Sequence, residues 1–253
     1  MNRLQVIAIH HCTSIARVVL VVALLVSGAT QAQTIAPGPY LKAEVGYSMA
    51  RNADFREDNP NSPDCFLYVT STTCGGTLNH LGKGWIGGIG VGYRTASGFR
   101  VDVTYNRRAG YNLSGTDPAG TVYDPDVTSE AMMLNGTYEL PVVFGALRPF
   151  VGAGIGTSRN DMKPLNWNDP GCCGGTLNGG KKNDTAWQFT LGADLALQQN
   201  WTLEMLYRYM DMGKFVKNAG PDQSGNFSGS GSTISATGKL RANEIIVGLR
   251  LGF

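Results

Sequence analysis

Apolar and polar residues alternate along eight separate stretches of this chain, at 41–49, 85–94, 99–106, 132–139, 148–156, 187–195, 201–209 and 244–253. A side-chain period of two belongs to strands, so the mature chain should be almost entirely β. In the first stretch Leu41, Ala43, Val45, Tyr47 and Met49 alternate with Lys42, Glu44, Gly46 and Ser48. In the seventh Trp201, Leu203, Met205, Tyr207 and Tyr209 alternate with Thr202, Glu204, Leu206 and Arg208. The fourth stretch is noisier, because Met132 and Met133 are apolar on both faces. The connections alternate in length. Residues 95–97, 140–148 and 198–200 are short, whereas 50–82, 109–127, 158–184 and 214–238 are long, polar and rich in Gly, Asn, Asp and Ser.

Residues 1–32 read as a cleaved export signal, which leaves 33–253 as one domain. Arg3 and Arg17 supply the basic region, 18–26 the apolar region and 27–32 the small residues before the cut. Cleavage is expected after Ala32, with Ala29 as the alternative. The apolar run falls short of the roughly 20 residues that span a bilayer, which disfavours an anchor helix. Cys12 leaves with this segment. Removing Arg3 and Arg17 takes the 21 basic residues to 19, equal to the 19 acidic ones. A neutral chain has no nucleic-acid footprint. Four cysteines survive: Cys65, Cys74, Cys172 and Cys173. In an exported chain an even count points to disulfides. A bridge between the adjacent Cys172 and Cys173 would be strained, so cross-loop pairing with Cys65 and Cys74 is expected, its connectivity left open.

Alternation alone does not separate a membrane barrel from a soluble one whose apolar face points inward. The polar face decides between them. Lys42, Glu44, Arg100, Asp102, Glu139, Asp194, Glu204, Arg208, Glu244 and Arg250 all fall on it, in both signs and in mid-strand. Opposed charges can satisfy one another inside a narrow barrel while the apolar face meets lipid. Aromatic residues on the apolar face fall into two rims. Tyr40, Tyr93, Phe99, Tyr138, Trp201 and Phe253 are assigned to one, and Tyr47, Trp85, Tyr105, Trp187 and Tyr209 to the other. Such girdles mark membrane–water interfaces. The expected fold is an all-β, eight-stranded antiparallel transmembrane β-barrel with four long extracellular loops. The strand-like FLYV at 66–69 leaves ten strands as the alternative.

With RPFVGAGIG at 148–156, WTLEMLYRYMDMG at 201–213 and a terminal IIVGLRLGF at 245–253, the mature chain resembles the small outer-membrane β-barrel family of OmpA-like and opacity-type surface antigens. The resemblance implies that Phe253 is read by the barrel-assembly machinery. It also implies outer-membrane lipid and lipopolysaccharide as surroundings, a monomer, and no cofactor. No peptidoglycan-binding domain is expected beyond Phe253. The implied work is non-enzymatic: envelope integrity and surface or host interaction through the long loops. An outer-membrane enzyme acting on lipid or peptide, or a small diffusion channel, is the alternative.

The remaining motifs carry little chemistry. Gly88, Gly90 and Gly92, like Gly152, Gly154 and Gly156, sit in strands with no helix following, and so do not form a nucleotide loop. His80 is the only mature histidine and reads as a solvated loop residue. Asp117, Asp124 and Asp126 flank Pro118 and Pro125, where turn chemistry accounts for them as well as weak calcium binding would. CGGTLN occurs twice, at 74–79 and 173–178, which argues for structured loops. On the polar face two ion pairs are expected to plug the lumen, Arg250 with Glu204 below and Arg208 with Glu244 above.

Overall fold

The computed structural model describes residues 35–58, 68–70, 73–74, 76–116, 122–142, 144, 146–169, 173–197, 200–219 and 235–253. The leader at 1–32, Asp117, Cys65 and Cys172 lie outside the described residues, as do the side chains of Cys74 and Cys173.

Each alternating stretch forms a strand, because one face can be buried only if the other is exposed at every second residue. The strands are β1 (Gly38–Ala50), β2 (Lys83–Arg94), β3 (Phe99–Asn112), β4 (Asp126–Glu139), β5 (Leu147–Met162), β6 (Gly180–Ala196), β7 (Trp201–Lys217) and β8 (Ala236–Gly252). Each pairs antiparallel with its neighbours, and β1 pairs with β8 to close the barrel. Closure fixes the tilt. Stepping from partner to partner, Tyr40 leads to Gly92, Asp102, Asn135, Gly154, Gln188, Met210, Ala242 and back to β1 at Ala50. The stagger is therefore 50 − 40 = 10 residues. With about 3.3 Å per residue and about 4.8 Å between strands, eight strands so staggered tilt by about 40°.

Eight strands, not ten, make the wall. Tyr68–Thr70 pairs with Thr73–Cys74 in a separate hairpin within the first long connection. The strands outrun the expected ten or so residues, reaching 17 in β6, β7 and β8. Two bulges explain why the alternation stops short of the true ends. At Gly110 (φ +90°) β3 gains a residue between Arg108 and Tyr111. At Gly213 (φ +73°) β7 gains one between Asp211 and Lys214. Both glycines adopt a left-handed backbone that a side chain would strain. Beyond each bulge the inward positions change from even to odd numbers, so that Tyr111, Leu113, Phe215 and Lys217 are buried.

The outward face is apolar, and Phe99, Tyr138, Trp201 and Phe253 are exposed at the short-turn end, with Trp85, Tyr105 and Trp187 toward the other. Tyr40 departs from the expected rim. Its even number puts it on the inward face with Lys42 and Glu44, where it is 3 % exposed and donates to Asp102 Oδ2 at 2.7 Å. Its ring fills the space opposite Gly92, where a Cβ would come within 2.6 Å of Tyr40 Cζ. Half a barrel away Phe150 stands over Gly192 with the same 2.6 Å approach. The two halves of the wall thus repeat an aromatic-over-glycine device near the short-turn mouth.

Candidate functional site

The barrel interior has two zones, and the lower one is ionic. Cross-strand register brings side chains on the inward face to the same level, so charges from different strands meet although none are neighbours in sequence. Arg250 Nη1 donates to Glu204 Oε1 at 2.5 Å and Nη2 to Asp194 Oδ2 at 3.0 Å. Across the lumen Arg100 Nη1 donates to the same two acids, at 2.6 Å to Asp194 and 3.1 Å to Glu204. Two arginines and two carboxylates thus form one closed square. Lys42 Nζ links it upward, 3.5 Å from Glu204 and 3.3 Å from Glu44. Arg208 donates to Glu44 at 2.9 Å and lies 3.5 Å from Glu244, its direct cross-strand partner. Glu244 is held more closely by Arg108, at 2.6 and 3.1 Å, and by Ser48 at 2.8 Å. At the mouth Arg94 grips Glu139 with two hydrogen bonds and donates to the Ile35 carbonyl, drawing the start of the described chain under the barrel. Six cations face six carboxylates: Lys42, Arg94, Arg100, Arg108, Arg208 and Arg250 against Glu44, Asp102, Glu139, Asp194, Glu204 and Glu244. All but Lys42 are buried, and the Lys42 side chain is only 8 % exposed. Charges removed from water persist only when compensated. Eleven of the twelve take part in ion pairs, and Asp102 accepts instead from Tyr40 and Asn135. Single atoms of Arg108, Asp194, Glu204 and Arg208 lack a hydrogen-bond partner.

The structure therefore places Glu204, Arg208, Glu244 and Arg250 within one network, but not as two isolated pairs. Trp201 pairs with Leu251 rather than with Phe253, so Arg208 comes level with Glu244 while Arg250 sits two residues below Glu204, opposite Thr202. Arg94, at the end of the second run, and Arg108 are the members missing from the ten charges read from the sequence. Arg108 lies just beyond the third run. Its parity continues Arg100, Asp102, Thr104 and Asn106, and extending the third run by two residues would have found it.

The upper zone is mostly apolar, although Lys217 and Glu57 are also buried at the loop end. Inward residues of the strand ends, including Met133, Met210, Met212, Phe215 and Leu240, meet residues of the long connections, including Phe55, Leu81, Leu113 and Leu165. Phe55 and Phe215 stack with ring centroids 5.5 Å apart. Both CGGTLN copies contribute their leucine: Leu78 bridges Phe55, and Leu177 pairs with Leu165. The connections are tied to one another as well. Leu165–Asp169 pairs with both Cys173–Leu177 and Val122–Tyr123, and Arg56–Glu57 extends the sheet alongside the start of β8. His80 is exposed and makes a backbone bridge with Ser114. Asp124 accepts a hydrogen bond from the Asn112 side chain, and the Asp126 carbonyl accepts one from the Lys163 amide. These are the contacts of loop structure.

A closed eight-stranded barrel with an apolar exterior, an ionic interior and a folded loop end has the architecture of small outer-membrane barrels. The family model of the outer membrane protein beta-barrel domain matches residues 18–253. The chain belongs to this family. It resides in the outer membrane, where the short turns of such barrels face the periplasm and the long loops the exterior. Among its relatives is the Rickettsia conorii protein named "Putative adhesin RC1281", 30 % identical over 224 residues that cover 83 % of this chain and 80 % of that one. An uncharacterized Brucella abortus protein is 27 % identical over 202 residues, covering 68 % and 67 % of the two chains. Among solved structures, Neisserial surface protein A shares 18 % identity with a TM-score of 0.49 over 85 % of this chain and 97 % of its own. The outer membrane protein OprG of Pseudomonas aeruginosa shares 12 % with a TM-score of 0.47 over 88 % and 100 %.

Proposed function

We propose that this protein is a closed, non-enzymatic surface protein, in which the barrel is a filled anchor and the work is done by the folded loop layer. That work would be envelope integrity and contact with surfaces outside the cell. The observation that carries the reading is the filled lumen. A balanced ionic network occupies its lower part, and an apolar plug seals the network from the loop side. A water-filled path would need both zones to open, and opening the lower one would separate buried charges from their partners. The name of the Rickettsia relative supports an adhesive role for the loops. In planar bilayers the purified protein is expected to show no steady conductance. A sustained open level in the unmodified protein would replace this reading with a diffusion channel.

The C-terminal strand carries a second part of the reading. Phe253 projects from the lower rim, exposed, and its amide donates to the Pro39 carbonyl across the closing seam. We propose that the barrel-assembly machinery reads this ring. Phe253→Ala should lower the amount of protein that reaches the outer membrane in heat-modifiable form several-fold at native expression, with a matching rise in periplasmic fragments. Undiminished assembly would remove Phe253 from this role.

A further inference from the structure

The lipid-facing wall is not uniformly smooth. On β4 and β5 the outward positions Gly136 and Ala153 are cross-strand partners, and neither side chain reaches beyond Cβ. They floor a hollow of about 570 Å³ whose walls are Val101, Leu134, Ile155, Trp187 and Phe189. Every outward wall side chain is apolar, while Asn135 and Gln188, which also line the hollow, have buried side chains that bond within the lumen. The hollow opens sideways into the bilayer, where only hydrocarbon can fill it.

Charge above the hollow indicates which hydrocarbon. Six residues up the same strands from Gly136, the outward row is Arg107, Glu130, Arg159 and Asn183. Arg107 lies 3.8 Å from Glu130. Arg159 is exposed and forms no ion pair among the described residues. Two residues higher, Lys181 and Lys163 share Asp161, each at 3.5 Å. Four cations thus face three carboxylates, Glu130, Asp161 and, level with Lys163, Asp126. This is an excess of one positive charge on the membrane-facing side of the loop end, with Arg159 the member outside any ion pair among the described residues. On the lower rim of this sector Arg100 is buried in the lumen and Arg148 falls on the inward parity of β5, opposite Asp194, so this rim lacks a matching outward cluster among the described residues. Six residues at about 3.3 Å, tilted by about 40°, rise about 15 Å, which is half of a hydrocarbon core of about 30 Å. A lipid whose head lies at the arginine row would bring its chain end to the hollow.

We propose that β3–β6 form a binding site for a phosphate-bearing lipid of the outer leaflet, the lipid A anchor of lipopolysaccharide. Its phosphates are held by Arg159 with Arg107 and Lys181, and one acyl chain lies down the wall into the Gly136–Ala153 hollow. Arginine suits this task because its planar fork can hold two phosphate oxygens at once. The site faces lipid, so it is independent of whatever the loops contact.

Trp187 lines the hollow and supplies the test. In a background carrying Trp85→Phe, Trp167→Phe and Trp201→Phe, its fluorescence would be measured in phosphatidylcholine vesicles containing a small mole fraction of bis-phosphorylated lipid A with brominated chains. Quenching several-fold above that expected from random mixing is the predicted result. It should fall to the random level with dephosphorylated lipid A, with Arg159→Glu and with Gly136→Phe. The last variant fits the fold, since a Cβ at Gly136 meets only the Phe99 ring, at 3.7 Å. Heat modifiability on gels would confirm that each variant is folded. Random-level quenching in the parent, equal enrichment of brominated phosphatidylglycerol, or enrichment that survives either substitution would overturn the proposal.

Discussion

Glu204→Gln is expected to lower the unfolding free energy of the micelle-embedded barrel by roughly 3–5 kcal/mol, read as a shift of the urea midpoint. Glu204 is the acid that meets most cations, touching Arg100, Arg250 and Lys42. An isosteric amide would leave both arginines sharing Asp194, with Glu139 3.9 Å from Arg100 and a net charge stranded in a dry interior. Arg250→Met alone should also be costly, because Asp194 and Glu204 then share Arg100, with Lys42 at 3.5 Å from Glu204 as the one other cation in contact. The double variant restores balance, with Arg100 and Asp194 remaining as a pair at 2.6 Å. Its loss should therefore be clearly smaller than the sum of the single losses. Strict additivity would mean that water enters and the square is not a unit. A cycle on Arg208 and Glu244 is less clean, since removing both leaves Arg108 without its carboxylate and Glu44 with Lys42 alone.

Phe55→Ala should leave the barrel assembled and dismantle its cover. Phe55 is fully buried, stacked on Phe215 and hydrogen-bonded through its backbone to Leu78. Truncating a buried phenylalanine costs about 3–5 kcal/mol when the site cannot collapse. Here the cost falls on one layer, because the charge network beneath shares no side chain with the Phe55–Phe215 stack. The expected outcome on intact cells is protease cleavage within the first long connection many times faster than in the parent, with heat modifiability retained. Equal protease resistance would show that the loop layer is held by something other than this core.

Much of the wall was legible in sequence because strand periodicity is local. Once Leu41, Val45 and Tyr47 face lipid, Lys42, Glu44 and Ser48 must face inward, and the same parity assigns Arg100, Asp194, Glu204 and Arg250. Parity also corrects the sequence reading at Tyr40, which belongs with Lys42 rather than with the rim aromatics. The upper halves of the strands were less legible for two reasons. Gly110 and Gly213 shift the phase, so that a strand continues where its alternation breaks. Inward positions such as Met133, Met210 and Met212 are apolar, facing the plug while their neighbours face lipid. The Met132–Met133 noise in the fourth run is that overlap.

By itself the sequence determined the eight alternating runs, the two-faced wall, and the presence of opposed charges on the inner face. These follow from a two-residue period that every strand carries within itself. Only the tertiary structure decided which charges meet, because partners such as Arg100 and Asp194 are brought together by a ten-residue stagger set when β8 closes on β1. Closure also decided that the long connections fold into a plug, since Phe55, Leu78, Leu165 and Phe215 find one another only after eight strands have placed their upper ends around one rim. Their apolarity is local, whereas their neighbours are a property of the closed ring.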